Sequence, residues 1–273
     1  MKTTSFESQE HLSIENLPFV VRIASERDMG KIAALRAATY GKHLPELAGK
    51  LGQPEASDYE LGCEVIVAAS KLDGSLLGTL RTHANVLKPL PLQASIRLPE
   101  RFQDMRMVEA TRLCVRGHSN SSLVRNALFK ALFQYCNAQN VDLIMAAGRR
   151  PIDRIYDALL FTDVAERGKF YPMAHASGLP HRVMCLQSAA QSSWAAAQHP
   201  LYRFVFETEH ADIDLAMCAN LNFKWSCPET DFDLDTGPAS VMGLDSAYGN
   251  IPYDHSIGRS GAAAASHMGF NAG

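Results

Sequence analysis

The chain has 273 residues, 47% of them hydrophobic, enough for one substantial core with an extension. Its formal net charge of −3 offers no global attraction to nucleic acid or an anionic membrane, and no apolar run approaches the roughly 20 residues of a transmembrane helix. Six scattered cysteines without a Cys-x-x-Cys pair read as core hydrophobes of a reducing compartment, and "MKTTSFESQEHLSIENLPF" lacks the apolar run of a signal peptide, so a cytoplasmic location is expected.

In chain order, "FVVRIAS" (Phe19 to Ser25) reads as a first strand. Ser25 stands ready to cap "ERDMGKIAALRAATYGKH", a helix with Met29, Ile32, Ala33, Leu35 and Ala37 on a broad apolar side. The Gly/Pro-rich "LAGKLGQPEASDYEL" predicts loop and short helix, and "EVIVAASKLDGSLLGTLRTHANV" a hairpin turning at Asp73-Gly74. A Pro-rich connection leads to "VEATRLCV" (Val108 to Val115), an apolar strand that carries two charges. On a regular strand Glu109, Thr111 and Leu113 share one face, while Val108, Ala110, Arg112 and Cys114 share the other. If both faces are covered, at least one charge lies inside and needs a partner or a task.

The turn "RGHSN" precedes "SSLVRNALFKALFQYCNAQN", whose Leu123, Ala127, Leu128, Ala131, Leu132, Tyr135 and Cys136 recur at helical spacing. "VDLIMAAG" reads as a strand covered on both faces, "PIDRIYDALLF" as a helix with Pro151 in its first turn, and "HRVMCLQS" as a last core strand. The order predicts an α/β fold, a mixed sheet with helices on both faces. From Ala189 a partly helical extension begins with "AAQSSWAAAQ".

This element order resembles the GNAT acyltransferase fold. "VRIASERDMGKIAALRAATY", "SDYEL", "LLGTLRT" and "VEATRLCV", in that order, resemble its acyl-carrier-protein-dependent branch, the autoinducer (acyl-homoserine lactone) synthases and the FeeM-type N-acyl amino acid synthases. The likeness covers roughly residues 19 to 187, and "HPLYRFVFETEHADID" is similar to the N-acyl amino acid synthases. It divides the chain into a GNAT-like domain at 1–187, an extension packed on it at 188–244 and a flexible tail at 245–273.

The resemblance implies a set of site residues. Glu109 and Arg112 match a Glu-x-x-Arg pair on the fourth strand, Gly78 and Arg81 a preceding Gly-x-x-Arg, Arg36 and Tyr40 an Arg-x-x-x-aromatic pair, and Asp58 an acidic loop position. No tryptophan follows Tyr40, and the acidic loop reads Asp58-x-Glu60 rather than a wider aspartate pair; both favour an amine acceptor other than that of the lactone synthases. Glu109 is the candidate base for the amine's proton, the alternative being a structural pair with Arg112 or Arg81. Arg112 supports from the opposite face unless a bulge re-aims it, as GNAT strands usually carry one here. Arg81, Arg36 and Asp58 are candidates to hold the acceptor's carboxylate and amine.

The turn "RGHSNS" places Ser119 and Ser121 where coenzyme-A-dependent relatives carry glycines that let backbone amides approach a pyrophosphate. Val115, Arg116, Ser119 and Ser121 are therefore expected to line a cleft for phosphopantetheine alone, presented by an acyl carrier protein as co-substrate. Arg125, Arg149, Arg150 and Arg154, with Arg116, are candidates for a basic face that docks that acidic carrier. No metal and no redox cofactor is expected. "DFDLDTG" (Asp231 to Gly237) has Thr236 and Met242 where a calcium loop needs Gly and Glu. His175 and His181 lack zinc spacing, and Cys114 reads as a core thiol. The expected activity is transfer of a fatty acyl group from acyl carrier protein to the amine of an amino acid or similar molecule. Acyl-homoserine lactone synthesis, coenzyme-A-dependent N-acetylation and a silent GNAT-fold binding module remain as alternatives.

Overall fold

The computed structural model describes residues 13–42, 45–117, 120–176 and 178–216. Ser119, the "DFDLDTG" stretch, the extension beyond 216 and the tail at 245–273 lie outside the described residues.

After a two-residue β1 (Ser13–Ile14), the first core strand is β2 (Phe19–Ile23), followed by α1 (Met29–Tyr40) and α2 (Pro45–Leu51). Ser25 does not cap α1 with its own oxygen. Its N–H and hydroxyl both donate to Asp28 Oδ2, at 2.7 and 2.8 Å, across a 3-10 turn, and Arg22 completes the pairing at 2.7 Å. The hairpin is β3 (Cys63–Ser70) and β4 (Leu76–Ala84), with Gly74 in the turn at φ +66°. Then come β5 (Met107–Val115), α3 (Ser121–Ala138), β6 (Leu143–Gly148) and α4 (Asp153–Ala158); Pro151 lies ahead of this short helix rather than in its first turn. The short β7 (Thr162–Asp163) and β8 (Tyr171–Pro172) precede β9 (Pro180–Gln187). The described part of the extension adds α5 (Gln191–Ala196), a π-helical turn at Arg203–Glu207, β10 (Thr208–Glu209) and β11 (Ile213–Asp214).

The main sheet runs β11-β2-β3-β4-β5-β6-β9-β7. Strands β2 to β5 are antiparallel neighbours, whereas β5 and β6 are parallel and joined across the face by α3. One face packs α3, α4 and α5 into the main core, where Phe19, Ile66, Leu80, Val108, Leu128, Ile144 and Trp194 are buried. The opposite face is covered in two halves. Met29, Ile32 and Leu35 of α1 cover β3, and the loops between β4 and β5 and after β8 cover β6 and β9 around Leu92, Met145 and Met173. A polar stripe on β4 and β5 lies between the halves.

The extension is part of this packing. β11 extends the sheet beside β2, and β10 pairs with β1. Trp194 stands edge-on to Phe133 of α3 at 5.4 Å. The buried Lys130 of α3 donates to the carbonyls of Phe204 (2.9 Å) and Thr208 and meets His210 Nδ1 at 2.9 Å, using all three donors of an ammonium. Among the described residues, no helix is long and apolar enough to cross a membrane.

Gly78 faces α3 so closely that a Cβ there would meet Val124 and Leu128 at 2.8 and 2.9 Å. Gly30, inside α1, has nothing within 4 Å of the same position. Gly78→Ala should therefore lower stability by about 1–3 kcal/mol through overpacking. Gly30→Ala should raise it by about 0.5–1 kcal/mol through helix propensity. Urea unfolding midpoints of the two variants measure both.

Candidate active site

The site is built on an irregularity of β5. Thr111 pairs with Arg81 and Cys114 with Thr79, so Arg112 and Leu113 together oppose the single residue Leu80. This is a β-bulge, with Arg112 in the left-handed region at φ +51°, a conformation costing a non-glycine residue about 1–3 kcal/mol. The bulge corrects the face assignment of the regular strand. Leu113 joins Val108 and Ala110 in the α3 core, while Arg112 turns to the side of Glu109 and Thr111, and Cys114 packs with Tyr40 and Leu51. The bulge is not encoded by a glycine or proline in "VEATRLCV", so alternation alone could not locate it.

On that face Arg36 of α1, Arg81 of β4 and Arg112 of β5, all buried, converge on Glu55 and Asp58. Arg36 Nη1 donates to both oxygens of Asp58 at 2.8 Å and to Glu55 at 3.3 Å. Arg81 Nη1 donates to Asp58 (3.1 Å) and Glu55 (3.2 Å), and its Nε to Thr111 Oγ1 (3.2 Å). Arg112 grips Glu55 in a fork, with Nε at 2.7 Å and Nη2 on the other oxygen. Burial alone would raise the Glu55 and Asp58 carboxyls. For Glu55 the guanidiniums of Arg112, Arg81 and Arg36 outweigh it, for Asp58 those of Arg36 and Arg81, and both acids sit below their ordinary range.

Glu55 is the residue the sequence reading missed. The second acid of the loop was read as Glu60, but Glu60 points outward to an exposed ion pair with Lys88. The acidic pair is Glu55-x-x-Asp58, and the spacing in "PEASDYE" was the available signal. A wider acidic pair is thus present, with glutamate in the first position where the lactone-synthase pattern has aspartate.

Three guanidiniums against two carboxylates leave one positive charge in excess. Arg36 Nε and Nη2 and Arg81 Nη2 are buried with no hydrogen-bond partner among the described residues. Unsatisfied buried donors are costly and call for a ligand or an explanation.

Glu109 is fully buried on the same face, where its Oε2 accepts the Leu92 N–H at 2.9 Å. Glu109 also stands where the sheet opens. The parallel ladder of β5 and β6 runs from Met107↔Leu143 to Ala110↔Ala146 and stops, although both strands continue. Beyond it Thr111–Leu113 of β5 and Ala147–Arg149 beside β6 line a cleft, closed by Ile152, Tyr156 and His181. Burial is the first of two influences that raise the Tyr156 phenol, the second being Glu109.

The remaining expected residues are placed as follows. Tyr40 is buried against Cys114, whose thiol burial pushes up to about 11, well short of a nucleophile's poise. Val115 ends β5, Arg116 is exposed and its N–H donates to Leu77, and Ser121 opens α3. Arg149 lines the cleft, Arg154 is exposed, and the exposed Arg150 stacks over Phe170 at 5.0 Å. Arg125 must be withdrawn from the basic face: it is 4% exposed on α3, covered where the helix packs, and cannot meet a partner's surface there. His181, read as an ordinary polar residue, is buried in the cleft wall with Nδ1 2.8 Å from the Leu179 carbonyl.

Sheet order, the parting of two parallel strands and a buried acid at their fork define a GNAT-like acyltransferase. The family described as N-acyl amino acid synthase FeeM matches residues 32–183, more than half of the chain, and the chain belongs to that family. It is similar to the solved structure of FeeM, an N-acyl amino acid synthase from uncultured soil microbes, at 15% identity and TM-score 0.51, covering 68% of this chain and 96% of that one. The acyl-homoserine lactone synthase BjaI, described as coenzyme-A-dependent, matches at 14% identity and TM-score 0.47 over 74% of this chain and 97% of its own. An aminoglycoside 6'-acetyltransferase type Ii matches at 12% identity and TM-score 0.43, over 62% and 97%. Among curated proteins, none matches the chain. By family the chain is an N-acyltransferase.

Replacing Glu55 removes the one carboxylate that all three buried arginines touch. Glu55→Gln should cost about 3 kcal/mol, the scale for removing one partner of a buried pair, read from urea unfolding. The pH dependence has a definite sign. Both acids are depressed in the folded state, so their stabilisation is present above their unfolded values near pH 4 and is lost as pH falls through the lower folded values. Wild-type stability should drop below about pH 4, and the Gln variant should show a flatter decline.

Proposed function

We propose that the enzyme transfers a fatty acyl group from the phosphopantetheine thioester of an acyl carrier protein to the α-amine of an amino acid, forming an N-acyl amino acid. The observation that carries this reading is the position of Glu109, one residue before the last paired rung of β5 and β6, beyond which the cleft begins. The β6-facing backbone edge of Thr111–Val115 has no strand partner among the described residues, and an extended, amide-bearing chain such as pantetheine can pair with such an edge. The thioester carbon then reaches the cleft's end beside the carboxylate.

The acceptor lies across the polar stripe. Its carboxylate takes the surplus positive charge and the orphaned donors of Arg36 and Arg81. Glu109 removes one proton from the acceptor's ammonium, the nitrogen attacks the carbonyl carbon, the C–N bond forms, the C–S bond breaks, and the nitrogen's second surplus proton passes to the departing sulfur. Tyr156 lines the cleft as a neutral phenol. The carrier docks on Arg116, Arg149, Arg150 and Arg154 around the cleft mouth, within the cytoplasm. No metal or redox cofactor enters this chemistry.

Two measurements test the reading. Purified enzyme with hexadecanoyl-acyl carrier protein and each of the twenty protein amino acids should give an N-acyl product by mass spectrometry, at higher kcat/KM than with hexadecanoyl-coenzyme A. Equal or better turnover of the coenzyme A thioester would overturn the donor assignment, and a lactone product the acceptor assignment. Reversing the charges of Arg149 and Arg150 should weaken carrier binding in a salt-dependent way.

Glu109→Gln should lower acyl transfer by about 100-fold or more while the unfolding transition persists. Higher pH should partly restore activity, because it supplies free amine without the base. An active Gln variant would remove Glu109 from the mechanism, and a variant without an unfolding transition would make it structural.

A further inference from the structure

His83 is a buried titratable group that the reaction as described leaves without a task. It lies on β4 two residues after Arg81, on the same sheet face, and pairs in register with Glu109 across the β4–β5 ladder. Directly opposed residues of adjacent strands place their Cβ atoms about 5 Å apart. The same rung runs from Cys63 through His83 and Glu109 to Met145, so the imidazole and the carboxylate are the adjacent polar pair of an otherwise apolar or thiol row. His83 is 4% exposed, and its Nε2 is buried with no hydrogen-bond partner among the described residues. Leaving an imidazole nitrogen unsatisfied inside a protein costs stability that a leucine of similar size would not lose.

The surroundings fix its charge. Burial, and then the positive field of Arg81, Lys88, Arg112 and Arg36, push its pKa down to about 2, so the ring is neutral at any working pH. A neutral ring keeps one nitrogen lone pair. That matters because the acceptor arrives as an ammonium, at a place where Arg81, Lys88, Arg112 and Arg36 already act as positive charges. A cationic side chain would repel it, whereas an uncharged acceptor atom beside a carboxylate suits it.

We propose that His83 binds the acceptor's amine, its Nε2 accepting one amine hydrogen, in the Nδ1–H tautomer, while the neighbouring Glu109 takes another. Loss of the proton held by Glu109 leaves the nitrogen lone pair on the Glu109 side, where the strands part and the cleft begins, while the bond to His83 keeps the nitrogen in place. His83 does not itself become protonated. The Arg36–Arg81 end binds the acceptor's carboxylate and the His83–Glu109 end its amine, two residues further along the strands, about 7 Å away. This inference rests on the proposed amino acid acceptor.

The test uses the full-length enzyme with hexadecanoyl-acyl carrier protein as donor and, as acceptor, whichever of the twenty protein amino acids the wild type acylates fastest. His83→Leu removes the lone pair, and His83→Gln restores a neutral hydrogen-bond acceptor. The Leu variant should raise KM for the amino acid by about 10-fold or more, the scale of a hydrogen bond to a charged group, and leave KM for the donor unchanged. The Gln variant should recover most of that loss. An unchanged amino acid KM in a folded, active Leu variant would overturn the role of His83 alone. Equal weakening of both substrates, or loss of the unfolding transition in both variants, would make His83 structural. A wild-type enzyme that forms no N-acyl amino acid would overturn this inference together with the acceptor reading it rests on.

Discussion

The extra residue in β5 sets two consecutive side chains, Thr111 and Arg112, on one face of the sheet, and the rest of the site depends on that. It brings a third guanidinium to Glu55, beside Arg36 and Arg81. At the same level along the strand, the ladder to β6 ends. A bulge and a strand fork at one place mean that the buried charges and the cleft share a boundary, and Glu109 sits on it. The left-handed backbone at Arg112 persists because the Glu55 fork on one side and Leu113 in the core on the other hold it there.

Holding the fork requires a rigid frame. α3 is pressed onto β4 at Gly78, where a methyl group would not fit, and its far side carries Trp194, Phe206 and the Lys130 anchor of the extension. Lys130 is buried and its ammonium is pulled down to about 8, chiefly by desolvation, yet its three donors have acceptors, so the pinned carbonyls fix the π-helical turn against α3. β11 then adds to the sheet edge next to β2. The described part of the extension therefore braces the helix that crosses over from β5 to β6.

Much of this was legible from periodicity. α1, the hairpin with its Asp73-Gly74 turn, α3 and the apolar β6 lie where the patterns of "IAALRAATY", "KLDGSL", "LVRNALFKALF" and "DLIMAAG" put them. Residues that converge through tertiary structure were less so. Asp58 was legible because a resemblance named it, while Glu55 sits in an irregular loop with no period to betray its direction. Alternation alone puts Arg112 on the wrong face because it assumes an unbroken ladder and a bulge without glycine leaves no local mark; the bulge expected from the resemblance is what re-aims it. Arg125 looked like a rim charge because helical spacing alone does not show which sides of α3 are covered. His83 was invisible inside "RTHANV", since its meaning lies in the strand beside it.

Three buried arginines with two buried acids are a poor way to make a stable core. Desolvating each ion costs several kcal/mol, and apolar residues of like volume often serve as well or better. The arrangement is poorer still with donors of Arg36 and Arg81 unmatched. A third acid set against those donors would have satisfied them, and it would also have filled the place the proposed acceptor's carboxylate takes; the face's third acid, Glu109, stands two residues before Thr111 instead. In the proposed reaction the unmatched donors set the choice of acceptor: they disfavour a plain amine, which brings positive charge and no acceptor atoms, and favour an amine that carries its own carboxylate. The same logic explains why the groups at the other end of the stripe are an acid and an uncharged imidazole rather than a further cation. The stripe is polarised along β4 and β5, positive toward Arg81 and negative to neutral at His83 and Glu109, and that polarity matches a zwitterion held in one orientation, amine toward the fork.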